Sequence, residues 1–78
     1  MLQEFHITIA SFHQIRAFVS LAAVQPFDVF VGNDRQQVNG KSFIGMFSLD
    51  YTKPVKVRVA CSLEMMHRFQ QEATKILA

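Results

Sequence analysis

The chain has 78 residues, half of them apolar and eight of them Phe, with eight basic against six acidic residues for a formal net charge of +2. That length makes one small domain, 1–78, and the apolar content builds a core without staples. Collagen-like, low-complexity and disordered classes are excluded, the interrupted apolar runs give no membrane insertion, and basic residues scattered from Arg16 to Lys75 form no cluster for nucleic acid.

In chain order, Phe5, Ile7 and Ile9 alternate with Glu4, His6 and Thr8, the period-two pattern of a half-buried strand. Ser11-Phe12-His13-Gln14 reads as a capping box. Phe12, Ile15, Phe18, Val19 and Ala22 follow at helical spacing, and Gln25-Pro26 ends that helix. Phe27, Val29 and Val31 form a second strand. Gly32-Asn33-Asp34 turns it into a short third strand over Arg35 to Val38. A short helix runs from Ser42 to about Leu49, and Asp50 to Pro54 is a loop. Val55, Val57, Val59 and Cys61 make a fourth strand. Ser62 caps a last helix with Leu63, Met66, Phe69, Ala73, Ile76 and Leu77 on one side. The order βαββαβα predicts an α+β open-faced β-sandwich, a four-stranded, mostly antiparallel sheet with three helices on one face. His6, Thr8, Asp28, Lys56 and Arg58 should lie on the other face, in water. Phe5, Ile7, Phe18, Val29, Val31, Val57, Val59, Phe69 and Ile76 are the expected core.

Several side chains carry possible chemistry. His13 falls in the first turn of the first helix, and Arg16, three residues on, shares its face; the pair could accept and hold a phosphoryl group. Asn39-Gly40-Lys41-Ser42 is a tight turn leading to a serine at a helix start, where it caps unpaired amides. A phosphate on Ser42 would be held by those amides and by Lys41. His6 and His67 have no spaced partners, so no metal site is expected. No cofactor motif occurs. The lone Cys61 excludes an internal disulfide and a cysteine metal cluster. Met1-Leu2-Gln3-Glu4 lacks a basic flank and a long apolar stretch, so no signal peptide is expected and a cytoplasmic location follows.

The stretch Asn39-Gly40-Lys41-Ser42-Phe43-Ile44-Gly45-Met46-Phe47 resembles the regulatory serine segment of HPr, the histidine-containing phosphocarrier of the bacterial sugar phosphotransferase system. The element order is also that of HPr, so the resemblance covers almost the whole chain. It implies that Ser42 is the serine a dedicated kinase phosphorylates. It also implies protein partners: enzyme I, sugar-specific acceptors, and HPr kinase or a regulator. The family's second motif, roughly Gly-Leu-His-Ala-Arg-Pro-Ala, is represented here by Ser11-Phe12-His13-Gln14-Ile15-Arg16-Ala17, without the glycine and the proline. Counted without a gap from Phe18-Val19 or from Ser42, Ser11 stands where the family has its histidine.

In the family this end of the domain docks partners through apolar contacts. Phe12, Ile15, Lys41, Met46 and Phe47 are therefore the expected partner-binding residues. The leading expectation is a divergent paralogue acting by protein–protein binding and regulated, if at all, at Ser42. The competing one is a working phosphocarrier relaying phosphate from enzyme I through His13. Neither has independent catalytic turnover.

Overall fold

Apolar–polar alternation builds each strand, and a serine opens each helix. The computed structural model describes residues 2–77. Its elements are β1 (Leu2–Ile7), α1 (Phe12–Ala23), β2 (Val29–Gly32), β3 (Gln37–Asn39), α2 (Phe43–Phe47), β4 (Val55–Ala60) and α3 (Leu63–Ile76). The strands form one sheet in the order β1-β4-β2-β3, with every neighbouring pair antiparallel. This is the expected βαββαβα order and four-stranded sheet.

The last strand in sequence is thus central in space. Its Val57 pairs with Phe5 on one side and Val31 on the other, and Val31 pairs with Val38. One apolar row therefore crosses all four strands. Ile15, Phe18 and Ala22 from α1, Met46 from α2, and Met66, Phe69 and Ala73 from α3 complete the buried core with the strand residues. Phe69 is the meeting point: its ring lies 5.8 Å from Phe5, 5.7 Å from Phe18 and 5.7 Å from Phe27, centroid to centroid. Among the described residues no polar or charged side chain is buried. His6, Thr8, Asp28 and Lys56 are exposed and Arg58 is half-buried, with His6, Lys56 and Arg58 on the strands' other face.

The structure corrects several local expectations. Ile76 is 37% exposed and is not core. It continues the stripe of Met66, Phe69 and Ala73, but as the last residue of α3 it lies nearly a turn beyond Ala73, and Leu77 packs against the core instead. Leu63, the first residue of α3, is half exposed for the same end-of-element reason. β3 starts at Gln37, not Arg35, because the Asn33 side-chain oxygen accepts from the Arg35 and Gln36 amides at 2.8 and 3.0 Å and holds that stretch as a turn. Cys61 lies one residue past β4 and is half-buried. Ile9 and Phe27 are buried although the strands stop short of them.

Phe18→Ala should cost about 3–5 kcal/mol, the range for an aromatic side chain deleted from a packed core. Ile76→Ala should cost less than about 1 kcal/mol, as for a partly exposed position. Urea unfolding of the two variants gives the comparison, and equal losses would contradict the helix-end account of Ile76.

Candidate functional site

The site is built where α1 and α2 begin. Ser11 has extended backbone, and its hydroxyl accepts the Gln14 amide at 3.3 Å. Gln14 reaches back, its Oε1 accepting from the Ala10 amide at 2.6 Å. The capping box therefore closes on the residue before the cap. His13 stands in the first helical turn with Arg16 three residues on, and both are exposed. Among the described residues neither side chain has a hydrogen-bond or ion-pair partner.

The second helix start is set by the Asn39–Ser42 turn. The Asn39 carbonyl accepts the Ser42 amide at 3.0 Å and its side-chain oxygen accepts the Lys41 amide at 2.9 Å. Gly40 allows a close approach to β2: its amide donates to the Val29 carbonyl at 2.7 Å, and a Cβ there would meet Val29 Cγ1 at 2.7 Å. Ser42 then caps α2, its hydroxyl accepting the Gly45 amide at 3.2 Å. Lys41 Nζ donates to the Gln25 carbonyl at 2.9 Å. Its ammonium is tethered to the segment that leaves α1.

The two helix starts touch through aromatic rings. Phe12 lies 5.5 Å from Phe43 and 5.0 Å from Phe47, and Phe43 and Phe47 are 5.7 Å apart. Phe12 and Phe47 are about half exposed, and Ile44 beside them is 83% exposed. Ile15 and Met46, expected on this surface, are instead inside the core. The reason is helical geometry: Met46 points to the sheet, so Ile44, two residues and 200° away, points to solvent. Phe43 and Ile44 are the site residues that sequence reasoning missed; the serine cap at 42 and a 100° step per residue were the available signals.

Behind this patch, Ile9, Ala10, Ser11, Phe12, Ile15, Tyr51 and Thr52 line a shallow groove. The Tyr51 hydroxyl donates to the Met46 carbonyl, tying the loop before β4 to α2. Burial pushes the Tyr51 phenol up to about 12, and burial also pushes the Cys61 thiol up. Among the described residues no cluster of three metal-ligating side chains occurs, and no helix is long and apolar enough to cross a membrane. Chemically, the site offers an exposed imidazole, a guanidinium on the same face, a half-buried capping hydroxyl, and an apolar contact surface.

Neither a protein-family model nor a curated protein sequence matches the chain. Solved structures do. The phosphocarrier protein HPr from Bacillus anthracis str. Ames is similar over 99% of this chain and 98% of its own, with a TM-score of 0.74 and 15% identity. The Bacillus subtilis catabolite repression containing protein Crh is similar over 91% of this chain and 86% of its own, with a TM-score of 0.66 and 23% identity. The chain has the HPr-like fold.

Ser11→Ala and Ser42→Ala should each lose about 1 kcal/mol of stability, the usual cost of removing a capping hydroxyl, read by thermal or urea unfolding. Tyr51 is the one tyrosine and there is no tryptophan, so its phenolate absorbance reports on one site. Its folded value lies above the ordinary value of about 10. The associated stability is therefore complete below that pH and is lost as pH rises from there towards 12. An absorbance midpoint at the ordinary value in the folded protein would contradict the burial of Tyr51.

Proposed function

We propose that this protein, as one unit over 1–78, is an HPr-like component of the bacterial phosphoenolpyruvate-dependent sugar phosphotransferase system that acts by binding partner proteins. It has no independent turnover and works in the cytoplasm. The observation that carries this reading is Ser11 at the cap of α1, with His13 displaced into the helical turn. The Ser11 hydroxyl takes the Gln14 amide that an incoming phosphoryl oxygen would otherwise use. A reacting group misplaced by even about 1 Å can lose on the order of a hundredfold in rate. The exposed Phe12–Phe43–Phe47 surface with Ile44 supplies the apolar contact that docking needs.

Ser42 is the regulatory position in this reading. Its place at a helix start suits a phosphate, which would meet the first amides of α2 in the way its hydroxyl now meets the Gly45 amide. The second reading, a phosphocarrier relaying from enzyme I to sugar-specific acceptors, is favoured by one observation: His13 and Arg16 share an exposed face and are unpartnered among the described residues.

The deciding assay is enzyme I with phosphoenolpyruvate on wild type and His13→Ala. Slow or absent labelling is expected. Rapid, acid-labile phosphorylation that disappears in the variant would make this a working phosphocarrier. Incubation with HPr kinase and ATP, followed by mass spectrometry, should place one phosphate on Ser42 and none on Ser42→Ala; modification elsewhere, or none, rejects the regulatory assignment.

A further inference from the structure

The sheet face turned away from the helices holds a depression of about 260 Å³. Its floor is Gly32, paired in register with Lys56 on one side and Gln37 on the other. His6 faces Lys56 from β1. The row His6–Lys56–Gly32–Gln37 thus crosses the sheet with one side chain missing. That gap is obligatory, because a Cβ on Gly32 would stand 2.6 Å from the Gln36 carbonyl oxygen.

The groups around the gap are mostly donors. Asn33 Oδ1 already accepts two amides, which leaves its Nδ2 hydrogens to donate. Gln37 Oε1 accepts from Arg58 Nη1 at a long 3.5 Å, which leaves its Nε2 hydrogens likewise. Glu4 holds Arg58 at 2.6 Å with one oxygen and approaches Lys56 only to 3.9 Å with the other. One carboxylate therefore serves two cations. Lys53 has no ion-pair partner among the described residues. Asp34 is the one acidic residue lining the depression.

We propose that this depression binds a small phosphate ester. The phosphate meets Lys53 and Lys56, with Asn33 Nδ2 and Gln37 Nε2 completing its hydrogen bonds, and Asp34 accepts from a hydroxyl of the same ligand. The volume lies just below the range of drug-sized pockets, which suits a small metabolite. A polyanion fits worse, because Glu4 and Asp34 interrupt the basic groups on either side. The site is on the opposite side of the sheet from α1 and α2, and the inference is independent of the partner-binding reading.

The experiment is a titration of the ¹⁵N-labelled protein with glycerol 3-phosphate at constant ionic strength, followed by amide shifts. Saturable shifts at Gly32, Asn33 and Lys56 are expected, with none from glycerol alone. Lys56→Gln should weaken binding about tenfold, as for loss of one charge-assisted hydrogen bond. Lys75→Gln, on exposed α3, should leave it unchanged. Lys53→Gln is the substitute if Lys56→Gln does not melt like wild type. Shifts confined to residues 11–14 or 42–45, equal weakening in the Lys56 and Lys75 variants, or no saturation would overturn the assignment. So would tighter, strongly salt-dependent binding of a short oligodeoxythymidylate at the same residues.

Discussion

The packing of Phe69 is the constraint on which the rest of the molecule depends. Its ring contacts Phe5 of β1, Phe18 of α1 and Phe27 ahead of β2, so one side chain of α3 fixes three other parts of the chain. Aromatic pairs in tilted or edge geometry contribute about 0.5–1.5 kcal/mol each beyond the area they bury. Beneath them, Val57 sits between Phe5 and Val31 in the central strand. β4 is therefore held on both edges by hydrogen bonds and on one face by the aromatic cluster. In a chain this short, such concentration matters, because small domains bury a smaller share of their surface.

Serine caps link that core to the candidate site. Ser11, Ser42 and Ser62 each accept an amide from the first turn of their helix. A capping hydroxyl and a phosphoryl oxygen compete for the same donors. At Ser11 the cap closes the start of α1, and the His13 imidazole stands two residues on, within the first turn. At Ser42 the capping atom is itself the atom that would carry the phosphate. In the proposed reading, the same local device weakens phosphotransfer at the start of α1 and is compatible with a phosphate at the start of α2.

The apolar patch follows from how short α2 is. Five residues make little more than one turn, so the helix can bury one large side chain, Met46, and must leave others outside. Phe43 and Phe47 find a partner in Phe12 from α1, and Ile44 finds none. On the opposite side of the sheet, Glu4 pairs with Arg58 and approaches Lys56, and the half-buried Phe30 is paired in register with Arg58. That carboxyl is held below the ordinary carboxylate range chiefly by its hydrogen bond from Arg58.

Much of this was determined by the sequence itself. Phe5, Ile7, Val29, Val31, Val57 and Val59 announced the buried strand faces through alternation, and Ser11, Ser42 and Ser62 marked the helix starts, because periodicity and capping depend only on near neighbours in the chain. The interior face of α1, with Phe18 and Ala22, was equally legible. Tertiary structure decided the rest. That β4 lies between β1 and β2 depends on pairings across tens of residues, which no local pattern encodes. That Met46 faces the core while Ile76 is exposed depends on how α2 is turned against the sheet and where α3 ends on it. Lys41 is tied to Gln25, and Gly32 forms the floor of a polar depression, only because distant segments are brought together by the fold.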